Sequence, residues 1–111
     1  MSHRKSRYFA LSICCLLALP ACAECVLPHP PSRVPDANTA TEQEMLTAMQ
    51  TLKRYAGDVM SYTKCLQFEV NQNRLTNDDQ QHLHNAAIDE LHAVTAKFNE
   101  QVRLFKERHP S

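Results

Sequence analysis

"TEQEMLTAMQTLKRYAGDVMSYTKCLQFEVN", Thr41 to Asn71, decides how this chain folds. A stripe recurs at Met45, Met49, Leu52, Ala56, Val59, Thr63, Leu66 and Val70, in steps that alternate four and three. A strand would bring apolar side chains back every second residue. Alternating threes and fours keep them on one face of a helix and, when sustained, make a seam for a second helix. Thr41-x-x-Glu44 reads as a capping box that opens this helix, with the threonine oxygen and the glutamate carboxylate serving each other's amides. Glu42 and Glu44 also suit the positive end of the helix dipole. Gly57 is the only glycine of the chain and falls outside the seam, where it costs about 1 kcal/mol of helix propensity.

Downstream, "NQNRLTNDD" (Asn71 to Asp79) breaks the pattern and reads as a turn. Thr76 or Asn77 caps a second helix, with Asp78 and Asp79 in its first turn. That helix is predicted over about 78–108. Its apolar face is Ala87, Ile88, Leu91, Val94, Thr95, Phe98, Val102 and Phe105. Arg103, Lys106, Arg108 and His109 gather at its negative end, and Pro110 follows. Two helices of matched length, each ~45 Å long, joined by a short turn, predict an antiparallel hairpin. The expected class is all-α, and the two helices are not copies of each other.

Upstream, "CVLPHPPSRVPD" (Cys25 to Asp36) places four prolines in twelve residues. Proline fixes φ and lacks the amide donor, so residues 24–40 form neither helix nor central strand and are expected as a polyproline-like arm. Before the arm, Arg4, Lys5 and Arg7 precede an apolar run from Tyr8 to Leu19. The run is short for a bilayer span and about right for the core of an export signal. Small residues at Ala21 and Ala23 place the cleavage after Ala23, which divides the chain into a leader, 1–23, an arm, 24–40, and a hairpin, 41–109. Leu19-Pro20-Ala21-Cys22 offers a competing reading as a lipidation site. In that case Cys22 would carry the lipid and the protein would sit on the outer membrane.

Cys14 and Cys15 leave with the leader under either cut. Cys25 and Cys65 remain as one pair in an oxidising compartment, and a disulfide between them is expected, two free buried thiols being the alternative. The arm is long enough to fold back along the first helix and close that bond with slack. Tyr55 and Tyr62 lie on the flank between the seam and Cys65, where they could serve as rails for the prolines. Without residues 1–23 the chain holds 9 Lys/Arg against 12 Asp/Glu, a formal net charge of −3. With no basic cluster, this balance argues against nucleic acid and anionic membrane surfaces as partners.

The residues that carry a resemblance are Cys25, Pro35-Asp36, Glu44-Met45, Tyr62-Thr63-Lys64-Cys65-Leu66 and Phe98-Asn99-Glu100-Gln101-Val102-Arg103-Leu104-Phe105-Lys106. Over residues 25–106 the chain resembles a group of small exported bacterial proteins of unknown function. They share a cleavable leader, a cysteine before a proline-rich arm, a Y-x-x-C-L helix and an FN-x-x-R-x-F/Y-K ending. The resemblance implies an exported helical protein and brings no catalytic residues.

Constellations that could carry chemistry are sparse. His82, His84 and His92, with Asp78 and Asp89 near, are candidate ligands for an envelope metal. A transition metal needs three or four convergent ligands, and one helix presents these only two at a time. Met45, Met49 and Met60 could be soft copper ligands, but the first two stand on the seam, where methionine fills space. "LTAMQ" (Leu46 to Gln50) matches the L-T-x-x-Q motif of Spy-like periplasmic chaperones, with Thr47 inside the predicted helix instead of opening one. Ser32, Ser61 and Ser111 lie in the arm, on an outer helical face and at the terminus, and no nucleophile constellation is readable. The expectation is therefore a non-enzymatic protein without cofactor, in the periplasm or secreted, working on an envelope protein or on a second copy of itself. Membrane attachment is expected only through a lipidated Cys22.

Overall fold

The computed structural model describes residues 24–110. The cleavage after Ala23 and the lipidation of Cys22 lie outside the described residues. Two helices make up the regular structure, α1 (Glu42–Asn71) and α2 (Asn77–Arg108), packed along each other as an antiparallel hairpin. The described residues include no strand. No helix among them is long and apolar enough to cross a membrane.

α1 starts where its capping box predicts. The Thr41 amide donates to Glu44 Oε2 at 2.8 Å, and the Glu44 amide donates to Thr41 Oγ1 at 3.1 Å. The helix ends at Asn71, where the sequence places the turn, although the device that stops it was not legible there. Asn73 takes a left-handed conformation with φ 57°, the backbone state that asparagine tolerates better than most residues. The Asn73 amide then donates to the Val70 carbonyl at 3.0 Å and the Arg74 amide to the Glu69 carbonyl at 2.9 Å. This pair of bonds is a Schellman stop, in which an apolar contact usually joins the two residues bridged by the longer bond. Here those two residues are Glu69 and Arg74, and an ion pair replaces the apolar contact. Thr76, not Asn77, caps α2, accepting from the Asp79 amide at 3.1 Å. At the far end His109 stacks on Phe105 with ring centroids 4.2 Å apart, and Lys106 and Arg108 occupy the last turn.

The whole predicted stripe of α1 is buried or half-buried, Met45, Val59 and Leu66 most deeply. On α2 the buried residues are Ala87, Val94 and Phe98. The core is nonetheless wider than a two-helix seam. Tyr55, Val59, Tyr62, Leu66 and Ala87 form its centre, with Cys25, Leu52, Leu75, Ile88 and Leu91 packed against it. Tyr55 and Tyr62 lie off the heptad positions, and a third body, the arm, accounts for the added width.

Gly57 is exposed, and a methyl group built on it would meet no atom within 4 Å. Gly57→Ala is therefore expected to stabilise the protein by about 1 kcal/mol, the helix-propensity difference, with no packing cost. Urea denaturation followed by circular dichroism would register this as a higher midpoint at unchanged slope.

Candidate functional site

The arm is the least ordinary part of the molecule, and its residues are fixed at both ends. At one end Cys25 and Cys65 form the predicted disulfide, with Cα atoms 5.7 Å apart. At the other end Asp36 begins a turn. Its Oδ1 accepts from the Asn38 amide at 2.8 Å and its carbonyl accepts from the Ala40 amide at 2.8 Å. The turn delivers Ala37, only 1% exposed, onto α2. There the Ala37 amide donates to Gln101 Oε1 at 2.8 Å, and Arg108 donates to Asn38 Oδ1 at 3.1 Å and to the Ala37 carbonyl at 3.5 Å. The arm thus joins both helices, whereas the sequence suggested only a return along α1.

Between its ends the arm lies against the hairpin. Cys25, Pro28, Pro31 and Val34 are half-buried and Ala37 is buried. Pro30 and Pro35 are half-covered as well. The geometry closes. Helical rise puts Cys65 ~9 Å before the end of α1 and Gln101 ~36 Å beyond the start of α2, so the arm must climb ~27 Å or slightly more. Twelve polyproline-like steps from Cys25 to Ala37 supply at most ~37 Å. The surplus goes into a bend at Ser32, and the slack beyond Ala37 goes into the turn that leads to Thr41.

Residues 27–31 are constrained one after another, being either proline or the residue before a proline. Ser32 is the first residue free of that restriction, and the bend falls there. Open hollows flank the arm on both sides. Val34, Pro35, Lys97 and Gln101 line one of them, and Pro31, Arg33, Gln43 and Thr47 line another. Nearer the disulfide, Val26 and Pro28 lie by Asp58, Ser61 and Tyr62, the tyrosine rail that the sequence suggested.

Tyr55, the other tyrosine that the sequence suggested as a rail, is buried among the core residues. Burial, with the negative charge of Glu90 adding to it, raises the Tyr55 hydroxyl above the usual phenol range. Glu69 is the one buried charged residue among those described. Its side chain is 6% exposed, against 45% for Arg74, which grips it through Nε at 2.7 Å and Nη2 at 2.9 Å. The pair lies beside Cys25, Leu66 and Leu83 at the turn end of the hairpin. The hydrogen bonds from Arg74, helped by its charge, hold the Glu69 carboxyl below the usual range.

A lowered folded value means that the stabilisation is complete above the unfolded value, near pH 4.5, and is lost as pH falls toward and through the folded one. Glu69→Gln should therefore destabilise the protein at pH 7 and flatten its loss of stability on acidification. Thermal melts between about pH 7 and 3 would show this. An acid limb as steep as before would assign the effect to other carboxylates, such as Glu100, which Arg103 also holds low.

The histidine constellation does not assemble. His82 lies 3.6 Å from Asp78, His84 Nδ1 lies 3.4 Å from Asn85, and His92 is exposed. No group of three or more His, Cys, Asp or Glu among the described residues is placed to hold a metal ion. Met45 is buried and Met60 is 52% exposed, so they do not present one face. Thr47 lies inside α1, where its hydroxyl takes part in a bond with Gln43. The "LTAMQ" motif therefore opens no helix. Ser32 and Ser61 are exposed. Gln101, Arg108 and Ala37, which hold the far end of the arm, were not legible as a group. The one signal was the turn-forming "PDAN" before the capping threonine.

Comparison with protein-family models, with curated proteins and with solved structures finds no match to this chain.

Proposed function

We propose that this chain is an exported, non-enzymatic helical protein of the bacterial envelope that works through contacts with another protein. The observation that carries the reading is a disulfide-stapled helical scaffold with large apolar side chains left outside it. Val26, Leu27, Met60, Phe68 and Leu83 are exposed. Apolar groups displayed on a fixed frame suit contact with a partner. The hollows are open and shallow, unlike the enclosed clefts in which most enzymes hold small substrates. The Cys25–Cys65 bond suits an oxidising compartment, and the resemblance to small exported proteins supports the same address.

Photo-crosslinking through positions 29, 68 and 83 in the producing cells tests this reading. Capture of the same protein from more than one position supports it, and an absence of crosslinks at every position removes it. A holdase role is the second reading, favoured by the exposed Phe68, Leu83 and Met60. Failure to suppress aggregation of a heat-denatured client at equal molar amounts would eliminate that role.

A further inference from the structure

We propose that the side of the hairpin facing away from the arm docks an amphipathic helix of a partner protein, apolar along its inner stripe and acidic along its edges. The proposal rests on the protein-contact reading above and names the surface and the kind of partner.

The two flanks of the seam carry it. On α1 the flank on the arm side, Tyr55, Tyr62 and Glu69, is buried at every step of seven. The opposite flank, Lys53, Met60 and Gln67, repeats at the same interval and is exposed at every step. α2 completes this open side. The arm lies by Leu83, Lys97 and Gln101 of α2. Helical phase then puts Ile88, Thr95 and Val102, again seven apart, on the other flank, where they are half-buried. Rows repeating every seven residues on two neighbouring helices are what a third helix needs to lay an apolar stripe against the pair. From Ile88 to Val102 the row runs ~21 Å, about four turns of such a helix.

Charge decides the occupant. Lys53, Lys64 and Lys106 edge the open side, are exposed, and make no hydrogen bond or ion pair with any described residue. Between Lys53 and Gln67, and between Ile88 and Lys106, the helical positions on this side include no acid. Glu44, Asp58, Glu69 and Glu100 border the arm instead. A second copy presenting the same side would set lysines against lysines with no carboxylate to answer them. A helix with acids at its edges answers them. Ala56, Thr63 and Thr95 keep the middle of the side low, which admits a helix and gives a lipid surface little to hold.

The test uses the full chain in its native host. A photo-activatable phenylalanine replaces Met60 or Asn99 on the open side, Leu83 beside the arm, or Arg54 on the back of α1 as a control, all four being exposed. The expected result is a crosslink from positions 60 and 99 to one protein, at a helical segment whose apolar residues are flanked by acids, and none from position 54. Lys53→Glu and Lys64→Glu together should cut that yield about tenfold, with the circular dichroism of the purified variant unchanged. Crosslinks from position 83 without any from 60 or 99 would overturn the docking side while leaving the protein-contact reading in place. A crosslink from the open side to lipid, to a second copy of the chain or to a segment without acids would also overturn it. So would an equal yield from position 54, or a yield indifferent to the two charge reversals. Silence at all four positions would remove both readings.

Discussion

Replacement of Cys25 and Cys65 together by serine should lower the unfolding free energy by roughly 4 kcal/mol. The bond joins residues 40 apart. On the chain-entropy argument, closing a loop of that length removes about this much freedom from the unfolded ensemble. The loss is large because the whole stability of a chain this size is of order 4–13 kcal/mol. The serine variant should retain the hairpin, since both caps and the Schellman stop are built from residues outside the arm. Urea denaturation of the oxidised wild type and of the double variant measures the difference. A loss below about 1 kcal/mol would mean that the unfolded chain is already compact enough to hide the entropy of closure. Reduction of the wild type should reproduce the serine result.

Leu66→Ala should cost about 3 kcal/mol. Leu66 is 3% exposed and belongs to the central cluster with Val59, Tyr62 and Ala87, against which Cys25 packs. The loss combines the transfer of the missing methyl groups with the cavity they leave, and values of about 2–5 kcal/mol are usual for this change. The lower half of that range is expected here. Leu66 lies beside the arm, which can settle into the space more readily than a helix can. That argument has a second consequence. In the serine double variant the arm is no longer pinned at Cys25, the site collapses more easily, and Leu66→Ala should cost less. A double-mutant cycle measures the coupling, and strict additivity would show that the arm does not relax onto Leu66.

The two helices, their caps and the staple were legible because each rests on a local rule. The four-three stripe from Met45 to Val70, the box at Thr41 and Glu44, and the even cysteine count after loss of the leader need no knowledge of the third dimension. The seat of the arm was not legible, because it depends on which residues of α2 come beside residues 36–38. Gln101 and Arg108 look like ordinary polar residues on a helix exterior, and Ala37 gives no hint that it will be the most buried residue of the arm. Tyr55 and Tyr62 were recognised as a flank, yet heptad counting assigns them no partner, since it describes two bodies and the molecule has three. Glu69 was missed for a related reason. An acid at a flank position signals exposure, unless the chain reverses just beyond it and returns an arginine. Among the candidate sites, the histidines fail for a reason already visible in their spacing, one helix being unable to turn all three the same way.

The staple also governs how the molecule would carry mechanical load. A pull applied on the N-terminal side of Cys25 enters α1 at Cys65 directly, through a covalent bond. It bypasses the arm, the Asp36–Ala40 turn and the first 24 residues of α1, from Glu42 to Cys65. Those segments lie on a side branch that backbone tension bypasses while the bond is intact, and load reaches them only through their contacts with α2. A pull on the C-terminal side of Arg108 acts instead on the hydrogen bonds of Gln101 and Arg108 and on the seam. Tension between the two ends should therefore peel α2 away while the arm stays fastened to α1 at Cys65. In force spectroscopy the oxidised chain should fall short of the reduced chain in contour length by ~140 Å, the reach of the 40 residues that the bond shields.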